Sequence, residues 1–346
     1  MSLNHSPKVV TDGLVFYYDM SNPQKSWRGK PMTNYISNPT EEMARGEFGQ
    51  YRDLAPTFNT YGLVPYSLSM YIKTNKNGSV LVYMQNGSYT KYSFVGSSVN
   101  ATAEWQRFYF NNLTPAISTP SETAAILATY TGYGSGVTPT VRNIQLELGS
   151  YATAFVDGSR SNTQSILDLT GNYVLTPTNL SYSSSGTFSF VGSSYIDLNS
   201  SNMITGNDPF TVEAWYTTTG TTSDEIFGNY GSSSTSGTLW ISGRYGTYIN
   251  GAVYFPGAPL GAGTYFLSTT RDTSGNVILY KNGVQVNSGV LAASIPVTYN
   301  FRIGADVNGA SEPFTGSIHS VKVYNRVLTA AEIAQNFNAL RSRYGI

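Results

Sequence analysis

The run from Phe314 to Ile346 constrains the fold of this chain more than any other stretch. It reads as a final strand through Tyr324, a short turn, and a closing amphipathic helix. Thr329 and Glu332 have the spacing of a capping box, in which each side chain bonds the other's free backbone N–H. Leu328 and Ile333 flank that box as a hydrophobic staple. Ile333, Phe337 and Leu340 then recur at helical spacing along one face. A short helix with one apolar face, following a chain of strands, is a lid on something made of strands.

Composition agrees with an all-β body. Charged residues are 12% of the 346, about half of the roughly 25% usual for soluble domains. Gly (34) and Tyr (27) stand with abundant Ser, Thr and Asn in their place. Aromatics at 14% argue against disorder, because such a chain has a core to bury. The 20 basic and 20 acidic side chains cancel, and no basic run is present to neutralise phosphates, so no nucleic-acid partner is expected. Without cysteine there is neither a disulfide nor a thiolate metal site. The leading residues lack the apolar stretch of a secretory signal. No apolar run approaches the roughly 20 residues that cross a bilayer, so membrane insertion is not expected.

Three stretches follow along the chain. Residues 1–60 read as one strand, Gly13–Asp19, in an irregular segment broken by Pro23, Pro31, Pro39 and Pro56. Met20–Tyr35 is read either as an extended arm or as a loop folded back on its own domain. Residues 61–160 carry short strands separated by Gly, Asn, Ser and Pro, the rhythm of a sandwich. Tyr66, Leu68, Met70 and Ile72 share one face of the first of them. Residues 161–346 form a second β-rich region after the turn-rich hinge Asp157-Gly-Ser-Arg-Ser-Asn. In it, Phe210, Val212, Ala214 and Tyr216 alternate with Thr211, Glu213 and Trp215, and Asn282-Gly283 predicts a type I′ hairpin.

Particular motifs resemble known modules. The strand Tyr66–Lys73, the Trp105-Gln-Arg107 element and Ile144-Gln-Leu-Glu-Leu-Gly-Ser-Tyr-Ala-Thr-Ala-Phe155 resemble, in order, the carbohydrate-binding-module-like jelly rolls of tailed-phage structural proteins. Leu167–Asn172, Phe188–Leu198, Phe210–Tyr216, Phe301-Arg-Ile-Gly304 and Gly316–Ile333 resemble a laminin-G-like domain of the concanavalin A type. The strand before the hairpin departs from that family, keeping only its tail in Thr270-Arg-Asp272. The resemblances imply two antiparallel jelly-roll sandwiches in series, with an irregular N-terminal arm and a short C-terminal helix.

Residues suited to catalysis are sparse. Either His5 or His319 would have to serve as base in a Ser–His–Asp triad, and nothing around His319 reads as a nucleophile elbow. A retaining glycanase needs two carboxylates about 5 Å apart, and no alternating acidic run exists. Asp224-Glu225 reads as a loop, and an isolated Glu213 could serve as an acid but reads more simply as a solvent-facing strand residue. Asp306-Val-Asn308 offers oxygen ligands but is ordinary turn chemistry, so no metal and no cofactor are expected. Exposed aromatic rings suit the C–H faces of sugars. Trp240, Tyr245, Tyr248 and Tyr254 cluster among glycines and serines, and Tyr130 and Tyr133 form a smaller Gly-flanked group; packing in the core is the competing reading for each.

The expectation is a non-enzymatic structural protein on a tailed-phage virion surface, as capsid decoration or collar component, made in the host cytoplasm. Its expected partners are other virion proteins and glycans. A host-glycan-binding tail-fibre adhesin is the alternative, and a glycan hydrolase the third reading.

Overall fold

The computed structural model describes residues 8–20, 26, 28, 31–36, 40–44, 46–53, 66–86, 92–94, 97–113, 124–149, 151–182, 188–219, 225–229, 240–242, 246–249, 252–254, 260–306 and 313–346. The backbone alone is described at 48–53, 84–86, 92–94, 124–128, 181–182, 240–242, 248 and 252–254. The chain is all-β, built from antiparallel sheets with a short closing helix.

Its division differs from 1–60, 61–160 and 161–346. One unit comprises Met1–Arg28 with Asn162–Ile346, and the other Gly29–Ser161. The reason is strand pairing. Leu14–Asp19 lies antiparallel against Gly316–Tyr324, with Tyr17 opposite Lys322 and Asp19 opposite Ser320. Met20–Tyr35, read as an arm or as a loop folded back, is divided between the two units, and the residues after Arg28 pair within the second. Met32–Thr33 pairs with Ser159–Arg160, Met43–Ala44 with Pro139–Leu148, and Phe48–Asp53 with Ala124–Tyr130.

The discontinuous unit is a sandwich. Its six-stranded sheet runs in the order 14–19, 316–324, 210–218, 263–271, 276–281, 284–290. Its seven-stranded sheet runs 176–178, 195–197, 302–303, 225–228, 240–242, 246–249, 252–254. Val212, Ala214, Tyr216, Leu267, Leu279, Val321 and Val323 meet Ile196, Phe227, Ile249 and Ile303 in one buried cluster. The Asn282-Gly283 turn has φ of 50° and 79°, as a type I′ hairpin requires. Gly304 is held at φ 93°, and a Cβ there would stand 2.4 Å from the Phe190 ring, so the glycine is what lets that ring pack.

Asp168 explains why the Leu167–Asn172 turn is built as it is. Its carboxylate accepts from the backbone N–H of Tyr17, Thr170, Asn172 and Tyr173 and from the Thr170 hydroxyl. Asn172 Nδ2 in turn donates to the Val15 carbonyl, which also lies 3.0 Å from the Thr170 hydroxyl. One buried acid thus ties the turn to the first strand.

The other face of the six-stranded sheet is covered by the helix Ala330–Leu340. Both halves of the capping box between Thr329 and Glu332 are present. Ile333 and Leu340 are buried with Trp215, Phe266, Tyr280, Tyr324 and Leu328, and Phe337 packs on the same cluster. Trp215 stacks on Phe337 at 5.6 Å and on Tyr344 at 4.4 Å.

That cover corrects the reading of Glu213 as solvent-facing. The alternation is as expected, but Glu213 is 1% exposed because the helix lies over it. Asn336 Nδ2 donates to both Glu213 oxygens at 3.0 Å and to the Tyr324 hydroxyl at 3.0 Å, while its Oδ1 accepts from Val10 N at 2.8 Å. Lys322 Nζ stands 3.9 Å from Glu213 and 5.0 Å over the Tyr17 ring. Burial raises the Glu213 carboxyl to about 7, against the pull of Lys322 and Asn336. The same burial lowers Lys322.

The other unit is also a sandwich. Pro139–Leu148, Tyr66–Thr74 and Gln106–Leu113 form a four-stranded sheet with Met43–Ala44. Gly78–Asn86 and Ala124–Tyr130 belong to a five-stranded sheet with Phe48–Asp53, Tyr92–Phe94 and Ser98–Ala101. Leu68, Met70, Ile72, Val141, Ile144 and Leu146 pack with Val80 and Val82 between them. Asn143, at φ 49°, sits in a bulge that re-phases its strand, so that Val141, Ile144 and Leu146 all reach the core. The Ile144–Phe155 motif closes one end: Gln145 Nε2 donates to Glu147 at 2.6 Å, Thr153 N to Glu147 at 2.7 Å, and Val156 N to Gln145 at 2.8 Å.

Asp168→Ala removes five hydrogen bonds to one charged acceptor. It should lower unfolding free energy by about 2–4 kcal/mol, read from urea denaturation; a loss below about 1 kcal/mol would contradict the stapling role.

The buried groups also predict a pH signature. The folded-state value of Glu213 lies above its ordinary 4.5, so its contribution is full below pH 4.5 and is lost as pH rises through about 7. His319 is pushed down from 6.5 to about 4 by burial, against Asp19. Its contribution is full above pH 6.5 and is lost as pH falls through about 4. The two slopes oppose each other in the wild type. His319→Gln should leave stability falling from pH 4.5 to 7. Glu213→Gln should leave it rising, as His319 alone dictates. Urea melts across that range test both signs, and parallel profiles in all three proteins would refute the assignment.

Candidate functional site

The aromatic residues singled out in the sequence fall into two places. Trp240, Tyr248 and Tyr254 lie on the last three strands of the seven-stranded sheet, and Tyr245 lies outside the described residues. Trp240 pairs directly with Tyr248, whereas Tyr254 pairs with Thr247. Thr247 and Ile249 are fully buried. Register therefore brings the Trp240 and Tyr248 positions together on the pleat opposite those two, and puts the Tyr254 position on theirs.

Tyr130 and Tyr133 belong to the other unit. Tyr130 ends the strand Ala124–Tyr130, and the Thr131–Gly136 loop follows it. Gly132, Gly134 and Gly136 all take positive φ, of 90°, 78° and 64°, a path open to glycine at little cost. Glu47 fixes the loop, accepting from Gly134 N at 2.7 Å, Gly136 N at 2.6 Å and Ser135 Oγ at 3.4 Å. The two backbone donors, with Ser135 and Lys76, hold its carboxyl below the usual range. Tyr133 N donates to the Tyr130 hydroxyl at 3.3 Å, and the two rings meet edge to face at 5.6 Å. The result is a pinned loop carrying a Tyr133 that is 82% exposed.

Sequence reasoning missed a second surface in this unit, on the outward face of the four-stranded sheet. Arg142 lies opposite Tyr71, and Tyr71 opposite Arg107, in one row across three strands. Cations and rings alternate along and beside that row. Lys73 Nζ is 4.5 Å from the Trp105 ring and Arg142 is 4.2 Å from it. Arg142 and Arg107 approach Tyr71 at 5.8 Å and 5.6 Å, and Arg107 approaches Tyr109 at 5.3 Å. The available signal was the alternation Trp105-x-Arg107-x-Tyr109 and Tyr71-x-Lys73, which assigns each set to one face. Pairing across 36 and 71 positions of sequence is invisible to that alternation.

The groups weighed for catalysis are placed otherwise. His319 Nε2 lies 2.8 Å from Thr217 Oγ1, and its ring is 5.1 Å from that of Tyr344. Glu225 opens a buried strand rather than lying in a loop, and Asp224 lies outside the described residues. Asp306 offers its carbonyl to Arg302 at 2.8 Å, and Asn308 is outside the described residues. Among the described residues no three His, Asp or Glu side chains are grouped to hold a metal ion, and no helix is long and apolar enough to cross a membrane.

Residues 190–334 match the model of a family described as the concanavalin A-like lectin/glucanases superfamily, and this part of the chain is a laminin-G-like domain of that class. Among solved structures the chain is similar to domain 4 of AbnA, an extracellular arabinanase of Geobacillus stearothermophilus, in complex with arabinotriose. Identity there is 21%, covering 49% of this chain and 91% of that one, with a TM-score of 0.39. It is similar to Trypanosoma rangeli sialidase at 17% identity, covering 53% of this chain and 32% of that one, with a TM-score of 0.40. It is also similar to the botulinum neurotoxin type G receptor binding domain, at 15% identity over 50% of this chain and 48% of that one, with a TM-score of 0.39. No curated protein matches the chain.

Proposed function

We propose that this protein is a non-catalytic, glycan-holding structural component of a tailed-phage virion surface. The observation that carries glycan binding is Tyr133, an aromatic ring 82% exposed on a loop pinned by Glu47. An exposed ring on a rigid support presents an apolar face and a polar edge, the combination a sugar ring stacks on, at small entropic loss. The match of residues 190–334 to a lectin/glucanase family model supports a carbohydrate role. The non-catalytic part rests on where the acids lie. Glu213 is committed to Asn336 and Lys322 beneath a helix, and Glu225 is buried. The virion setting, as decoration or collar, rests on the phage-module resemblance of the Tyr66–Lys73, Trp105–Arg107 and Ile144–Phe155 motifs.

Affinity electrophoresis of the full chain through gels containing neutral polysaccharides tests the glycan reading. Tyr133→Ala should weaken retardation by roughly tenfold, about 1.4 kcal/mol, and Glu47→Ala should weaken it less, by loosening the loop. Reducing sugar should not be released. Retardation unchanged in Tyr133→Ala would remove the carrying observation. Labelling of purified particles tests the setting: density over head or neck supports it, density at fibre tips favours an adhesin, and absence from particles refutes it.

A further inference from the structure

The outward row of Lys73, Trp105, Arg142, Tyr71, Arg107 and Tyr109 has properties that a packing role leaves over. In a chain with 12% charged residues, three cations share one small face. The surface remains open, with Tyr109 55% exposed and the Arg142 and Lys73 side chains 38% and 33% exposed. Rings 4.2–5.8 Å from the guanidiniums restrict their freedom, which lowers the cost of presenting them to an anion.

The charges at the two ends are balanced differently. At one end Glu42 stands 3.1 Å from Lys73 and 3.9 Å from Arg142, and it is itself 47% exposed. At the other, Arg107 bonds only neutral oxygens, Ser69 Oγ at 3.0 Å and Thr153 O at 3.2 Å, both through one nitrogen. Among the described residues no carboxylate lies within ion-pairing distance of Arg107, and the Arg142 side chain makes no hydrogen bond. Glu42 thus marks where an anion sits on this face, and the Arg107 end has the same cationic and aromatic surroundings without one. Arg142 and Arg107 are two strands apart, which places their charges about 10 Å from each other.

We propose that this face binds a carboxylated polysaccharide, with sugar carboxylates on Arg107 and Arg142 and sugar rings against Tyr109 and Trp105. Nε of each arginine is buried and Arg107 Nη2 is already bonded. The remaining terminal nitrogens offer charge-assisted hydrogen bonds to a carboxylate, and rings between the cations supply apolar contact that a simple polyanion would not use. This rests on the glycan-holding reading, adding a second site and naming its ligand class.

The test uses the full chain in affinity gels containing polygalacturonate, its methyl ester, or polyglutamate. Retardation by polygalacturonate is expected, and should weaken with salt because exposed charges are screened beyond about 10 Å at 0.1 M. Esterification should abolish it. Arg142→Gln and Tyr109→Ala should each weaken it about tenfold. Glu42→Gln, which removes the competing anion, should strengthen it, a gain that misfolding cannot produce. Tyr133→Ala is read in neutral-polysaccharide gels and Arg142→Gln in the ratio of polygalacturonate to methyl-ester retardation, so failure of the Tyr133 site and failure of this face read out separately. No retardation by polygalacturonate, equal retardation by the ester or by polyglutamate, or no gain in Glu42→Gln overturns the proposal.

Discussion

The antiparallel pairing of Leu14–Asp19 with Gly316–Tyr324 is the contact on which the rest of the larger unit depends. It joins the beginning and end of the chain into neighbouring strands, so whatever lies between Arg28 and Asn162 is an insertion. Closing so long a loop has an entropic cost that grows only slowly with length. Local bonds then fix the junction: Asp168 gathers the turn beyond the insertion onto Tyr17, and Leu167 N and Arg28 N bond Ser26 O and Ser165 O. Asp19 on the same strand takes Arg343 at 2.9 Å and the Tyr17 hydroxyl at 2.8 Å.

With the edge strand in place, the six-stranded sheet has two faces to satisfy. The inner one meets the second sheet through aliphatic and aromatic side chains. The outer one carries Glu213, Lys322, Ser268 and Ser320, all buried, beside Trp215 and Phe266. A lid over such a surface must supply hydrogen bonds as well as apolar area, because an unmatched buried acid is costly. The closing helix supplies both from one turn to the next, Ile333 and Phe337 as area and Asn336 as donor. Asn336 also receives Val10 N, so the same side chain fastens the strand's N-terminal lead-in.

These layers differ in how far they can be read from residues. The capping box, the Asn282-Gly283 turn and the alternation of Phe210–Tyr216 are local, determined by neighbours within a few positions, and each appears where the pattern puts it. The insertion was not legible, because Leu14–Asp19 reads as a strand without saying which strand it joins. Glu213 was misread for a related reason. Alternation says that Glu213 opposes the core-facing set, but not that a helix more than a hundred residues later covers it. Of the aromatic candidates, Tyr133 is displayed by a glycine-rich loop whose conformation its own sequence foreshadows, while the anchor, Glu47, comes from far upstream. The row through Tyr71 needs three strands in register and a bulge at Asn143 that brings Arg142 and Gln145 to the same face.

Scarcity of charge sharpens what the remaining charges mean. Where charged residues are common, a cluster of cations on a sheet is an ordinary solvated surface. Here many of the charged side chains have evident structural duties: Asp168 in its turn, Glu147 under Thr153, Arg271 bonding Leu291 and Ala293, Arg326 on Glu332. Arg107 and Arg142 differ, set beside rings, with no carboxylate on Arg107 among the described residues and Glu42 no nearer than 3.9 Å to Arg142. A guanidinium held between rings loses little freedom on meeting a carboxylate, so the face is preorganised for an anion before any ligand arrives. Tyr133 is preorganised by a different device, a carboxylate that clamps a glycine loop. Two preorganised displays thus share one sandwich, one neutral and one cationic, each built by contacts between strands far apart in sequence.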